Sequence, residues 1–147
     1  MSETANLRNV CRIVEGRLLE IDVAAGYNST SDVTEMIAMI AGEFAKVPVR
    51  TRIVIAADWR PCRLFTPDVA ERAVQMMSGV NPRIERSAIL HRVDQATSVL
   101  QVARLIKEAQ SPHRRVFTNP FEMESWLGEI LSDAERARLR TFLDQRA

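Results

Sequence analysis

Arg52–Ala57 (RIVIAA) is an unbroken run of β-branched and small apolar residues, the pattern of a strand covered on both faces. It does not stand alone. Arg86–His91 (RSAILH) repeats the pattern, and His113–Phe117 (HRRVF) offers a shorter version of it. Between these runs the apolar period changes to that of a helix. Val33, Met36, Ile37, Ile40, Ala41 and Phe44 form one stripe closing near Pro48; Val69, Ala70, Ala73, Val74, Met76 and Met77 form a second; Val99, Val102, Ala103 and Ile106 form a third. Successive strand–helix units of this sort join through right-handed crossovers into a mostly parallel sheet.

The flanks add detail. Val10–Val14 and Arg17–Ala24 read as two strands, and Glu15-Gly16 between them is short enough for an antiparallel hairpin. Thr66-Pro67-Asp68 places a cap oxygen, a proline at the first helical position and a dipole-matching carboxylate before the second helix. Asp94 is the expected cap of the third. Asn119-Pro120-Phe121-Glu122 and Ser132-Asp133-Ala134-Glu135 read as capping boxes. The first opens a helix through Trp126, Leu127 and Leu131; the second opens a terminal helix bearing Leu139, Phe142 and Leu143. That last stripe serves either its own domain or a second subunit. The expected fold class is α/β, a single domain in the order ββαβαβαα, with an antiparallel N-terminal hairpin on a mostly parallel sheet.

With 147 residues, 46% of them hydrophobic, one domain can bury a core without metal or disulfide staples. Twenty Lys+Arg against nineteen Asp+Glu leave a formal charge of +1, so the basic excess of a dedicated nucleic-acid binder is missing. The two cysteines, Cys11 and Cys62, lie outside any CxxC spacing, which suits a reducing cytoplasm. Met1–Asn9 is polar and lacks the apolar run of a secretory signal; residues 1–9 are expected to be a flexible lead-in to a domain over 10–147. The expected location is the cytoplasm.

The hairpin start, the strands RIVIAAD and ERSAILHR, and the tail RRVFTNPFEMESWLGEIL resemble the SpoIIAA-like group of bacterial STAS-type proteins, over roughly Val10 to Leu131. The tail carries most of the likeness: a short strand ending Val-Phe-Thr, then Asn-Pro, then an acidic helix containing Trp-Leu. The resemblance implies a sheet of four or five strands with helices on one main face, and no catalytic chemistry. STAS relatives act as anti-sigma-factor antagonists through a serine in an Asp-Ser-Ser/Ala-Gly motif at a helix start. Here the matching stretch, Ala57 to Thr66, has no such motif, and Thr66 alone places a hydroxyl at the helix start. The group is also similar to CRAL-TRIO lipid-transfer domains, which implies an apolar ligand or a membrane contact.

Ligands of open parallel sheets gather beyond the carboxyl ends of the strands. Here those ends feed loops at Tyr27–Thr30, Asp58–Thr66, Arg92–Asp94 and Thr118–Asn119. The second loop interleaves Trp59, Leu64 and Phe65 with Arg60 and Arg63, a composition suited to a protein partner, a small apolar ligand or, as the alternative, a membrane surface. Asp58, Trp59, Arg60, Arg63, Leu64 and Phe65 are therefore the candidate binding residues, against the plainer reading that Trp59 and Phe65 fold back over the core. Thr66 is a candidate phospho-acceptor beside its ordinary role as a cap. His91 and His113 lack a second ligand at metal spacing, and His91 with Asp94 makes a pair rather than a triad. Cys62, next to Pro61 and flanked by arginines, is either a reactive thiol or a plain loop cysteine. None of the five glycines sits in a phosphate-cradling motif. The expected protein is a non-catalytic binding or regulatory module without cofactor or metal, homodimeric, and without a nucleic-acid partner.

Overall fold

A chain reversal at Gly16 starts the fold. Gly16 has φ of 60°, a left-handed conformation that side chains resist, and any side chain there would run into the Glu135 carboxylate. The computed structural model describes residues 7–146; of the expected flexible lead-in, residues 1–6 lie outside the described residues. Strands β1 (Val10–Glu15) and β2 (Leu18–Asp22) pair antiparallel about this turn, with Val10 opposite Asp22. Helix α1 (Thr30–Phe44) follows, its first turn held by the Ser29 hydroxyl, which accepts from the Asp32 amide. Then come β3 (Ile53–Asp58), α2 (Pro67–Val80), β4 (Ile84–Leu90), α3 (Ala96–Glu108), β5 (Arg114–Phe117), α4 (Pro120–Gly128) and α5 (Asp133–Asp144). The order is ββαβαβαβαα, one strand–helix unit longer than the expected string, which left out the short His113–Phe117 run already read as a strand.

The five strands lie in chain order, β1-β2-β3-β4-β5, and the last four are parallel. Nowhere does the order reverse. Each crossover therefore returns over the same face, and α1, α2 and α3 cover it. Ile53, Ile55 and Ala57 of β3 point into that layer with Leu19, Ile21, Ile84 and Ile89, against Val33, Met36, Ala73 and Met77. The alternate residues Val54 and Ala56 point the other way, with Leu18, Ala88 and Leu90, against Met123, Leu127, Leu139, Phe142 and Leu143 of α4 and α5. Period-2 alternation thus divides one apolar run between two cores.

The second core corrects the expectation of helices on one main face. It also places the α5 stripe: Leu139, Phe142 and Leu143 are buried against the chain's own sheet. Beneath α5, the buried Glu20 carboxylate accepts from Arg138 at Nε and Nη2 and from Arg12 at Nε, so the carboxylate in this layer is matched rather than orphaned. Ser132 and Glu135 form the expected reciprocal capping box, while Asn119 caps α4 through its own side chain alone, accepting from Phe121 and Glu122.

Three local expectations change. The buried face of α3 is Ser98, Val102 and Leu105, followed by Ala109, with Ala103 turned to solvent; the expected stripe was rotated by about one position. Asp94 does not cap α3, whose N-cap is Gln95; its carboxylate is held instead by Arg92 at 3.0 and 2.6 Å. Helix α4 ends at Gly128, so Leu131 packs from the connection to α5 rather than from the helix.

Candidate functional site at the carboxyl ends of the strands

β3 ends on Asp58, whose side chain is 3% exposed. Its Oδ1 accepts from the Arg60 amide and Nε, both at 3.0 Å, and its Oδ2 accepts from Arg60 Nη2 at 3.0 Å and Arg146 Nη1 at 2.5 Å. Arg146 Nη1 also donates to Asp22 Oδ1 at 2.8 Å, and Arg60 Nη2 to the Leu143 carbonyl at 3.3 Å. One carboxylate thus ties the ends of β2 and β3 to the loop after β3 and to the end of α5. Burial pushes the Asp58 pKa up, but the Arg60 hydrogen bonds and the two guanidinium charges outweigh it and hold the group below the usual aspartate value.

The loop then turns inward. The Trp59 amide donates to Leu90 O at 2.9 Å, and the Cys62 amide returns to Trp59 O at 2.8 Å. Trp59 is 2% and Phe65 7% exposed. With Tyr27 they form an edge-on aromatic group, Trp59–Tyr27 and Trp59–Phe65 both at 5.6 Å between ring centroids. Two of the candidate contact residues are therefore core, and the membrane alternative loses its aromatic anchors. Leu64, in contrast, is 54% exposed, and Arg63 lies beside it in solvent. The split comes from Gln101 of α3: its Oε1 accepts from the Phe65 amide at 2.8 Å and its Nε2 donates to the Phe65 carbonyl at 3.0 Å. That clamp turns Phe65 in and Leu64 out.

Thr66 is the N-cap of α2 in backbone terms but makes no side-chain cap bond; its hydroxyl donates to the Asp68 carboxylate at 2.6 Å. A phosphate added there would face that carboxylate, so like-charge repulsion opposes Thr66 as an acceptor. His91 is buried, with Nδ1 accepting from the Arg92 amide at 2.8 Å and Nε2 unpartnered among the described residues. Burial lowers its pKa, with Asp58 opposing, and Asp94, turned to Arg92, does not orient it. His113 is exposed. Cys62 is buried, and desolvation followed by the Asp58 charge pushes its thiol up to about 12. At pH 8, then, a maleimide or iodoacetamide reagent should label Cys62 far more slowly in the folded protein than in denaturant. Labelling at equal rates would restore the reactive thiol. Among the described residues no three His, Cys, Asp or Glu side chains are grouped to hold a metal ion, and no helix is long and apolar enough to cross a membrane.

Two surface hollows adjoin this edge. A groove of about 840 Å³ runs between α2 and α3, floored by Ala70, Val74 and Leu105, flanked by Leu64 and Leu100, and rimmed by Glu71, Arg104 and Glu108. A second hollow, about 470 Å³, is lined by Leu7, Ala24, Pro61 and three arginines: Arg60, Arg92 and Arg146. Of these residues only Arg60 and Leu64 were named as site candidates from the sequence. Leu100 was legible only as an apolar residue off the expected α3 stripe. Gln101 and Arg146 carry no local signal, since each acts across a long stretch of chain. No family model matches the chain, and neither a curated protein nor a solved structure matches it.

Proposed function

We propose that this domain is a non-catalytic regulatory binding module that takes an amphipathic segment of a protein partner into the groove between α2 and α3. The observation that carries this reading is the pair of exposed leucines, Leu64 at 54% and Leu100 at 71%, that line the same groove as Ala70, Val74 and Leu105. Exposed leucines set this way around a concave apolar strip suit the anchors of a partner helix, and Glu71 and Glu108 on the rim suit basic flanks on it. A small apolar ligand fits less well. The cavity between the sheet and α1–α2, lined by Ile21, Tyr27, Met76 and Arg114 among others, has about 20 Å³, room for roughly one water.

Cys62 is buried and Asp94 is turned to Arg92, so the reading assigns them neither a nucleophilic nor a base-orienting role. Kinship with the SpoIIAA-like and STAS-type proteins, a cytoplasmic location and a homodimer belong to the same proposal. Supporting the kinship are the hairpin followed by parallel strand–helix units and the Val-Phe-Thr-Asn-Pro passage from β5 into α4.

A photo-crosslinker at Leu100 should capture a partner in the host cell, whereas one at the exposed Val49, in the α1–β3 connection, should not. The purified partner should then bind the Leu64→Asp, Leu100→Asp double variant at least about tenfold more weakly than the parent, with circular dichroism unchanged. Equal affinity for both proteins, or capture independent of the crosslinker's position, removes the groove from the mechanism.

A further inference from the structure

We infer that the three-arginine hollow at the carboxyl edge is a binding site for a phosphate group. Its guanidinium groups come from three separate segments: Arg60 from the loop after β3, Arg92 from the loop after β4 and Arg146 from the turn after α5. All three line one concave surface, although they lie far apart in the chain. The hollow lies beyond the carboxyl ends of β2, β3 and β4.

The supporting acids prepare these groups instead of consuming them. Asp58 lies beneath the hollow, almost wholly buried, and both of its oxygens are occupied by Arg60 and Arg146. It thereby fixes the two guanidinium groups in place. Each still has N–H groups without a partner among the described residues: Nη1 of Arg60, Nε and Nη2 of Arg146. Arg92 Nη1 has no partner among the described residues, and the pairing of Arg92 with the solvent-exposed Asp94 is of the weak surface kind, so it can turn toward an anion. The acids Asp22, Asp58 and Asp94 balance the three arginines in charge. A dianion would therefore be held by directed, charge-assisted N–H bonds more than by net field. Planar guanidinium forks match phosphate oxygens in that role. Leu7, Ala24 and Pro61 give the remaining wall an apolar character suited to the group that carries the phosphate.

The phosphate belongs either to a soluble molecule or to a lipid headgroup, and the experiment separates them. Inorganic phosphate and pyrophosphate, titrated at constant ionic strength, should raise the melting temperature saturably, while sulfate-free chloride at the same ionic strength should not. Arg92→Gln, a surface change that leaves the Asp58 network intact, should weaken that binding by about tenfold. Flotation with vesicles of phosphatidylcholine plus phosphatidic acid assigns a lipid headgroup if the protein floats and Arg92→Gln does not. Phosphate binding without flotation assigns a soluble ligand. No saturable response to phosphate, pyrophosphate or these vesicles, or a response that Arg92→Gln leaves unchanged, overturns the site. The groove between α2 and α3 shares no residue with this hollow, so failure here leaves the partner reading untouched.

Discussion

Replacing Trp59 with alanine is expected to destabilise the fold by about 3–5 kcal/mol, the range for removing a large aromatic from a packed core. The ring is 2% exposed and contacts Tyr27 and Phe65 edge-on, so its removal forfeits both apolar burial and two favourable ring pairs. Tyr27 and Phe65 cannot close the gap without moving, because Phe65 is held at its amide and carbonyl by Gln101. In a domain of this length the loss corresponds to a fall in melting temperature on the order of 10 °C. Urea titration followed by circular dichroism measures it, with Leu64→Ala as the control expected to change stability by less than about 0.5 kcal/mol. A Trp59→Ala protein with parental stability but impaired partner binding would return Trp59 to the contact surface.

The second large effect is expected at Asp58. Asp58→Ala strips two guanidinium groups of their shared carboxylate and should cost roughly 3 kcal/mol, the lower end for breaking a buried ion pair, since Arg146 keeps Asp22. The same group sets an acid limit. Its folded pKa lies below the usual aspartate value, so the folded state binds the proton less readily than the unfolded chain. Stability from this carboxylate is complete above roughly pH 4–5 and falls as pH drops through the folded pKa. His91 acts earlier on the same side. Burial depresses its pKa, so the unfolded chain takes up its proton first and stability declines as pH falls below roughly 6.5. Denaturation curves between pH 7 and 3 should show both slopes, and Asp58→Ala should flatten the lower one. An unchanged slope in that variant would mean that other carboxylates set the acid limit.

The layout of the fold was largely legible in the sequence, and for a physical reason. RIVIAA and RSAILH are largely apolar on both alternations, as strands of a sheet covered on two faces are, and the intervening stripes have the helical period. What pattern alone left open was which layer each stripe joins. The α5 stripe of Leu139, Phe142 and Leu143 reads the same whether it meets its own sheet or another subunit. It met its own sheet because Leu18, Val54, Ala56, Ala88 and Leu90 form an apolar face opposite α1–α3. The site was legible in its location but not in its parts. The strand-end rule pointed to the loop after β3, yet composition could not tell which loop aromatics turn inward. That choice is made by Gln101, some thirty-six residues farther along the chain, and the matching arginine of the hollow, Arg146, lies farther still from Asp58. Long-range pairings of this kind leave no local trace.

The Gln101 side chain acts toward Phe65 as an extra strand would, giving one hydrogen bond and taking another. Leu64 and Leu100 each immediately precede a member of that pair, so the separation between the two jaws is set before any guest arrives. If the proposed partner segment enters between them, the backbone that carries both leucines is already fastened, so less ordering is left to the binding step. Gln101→Ala leaves both leucines in place and would unfasten them from one another.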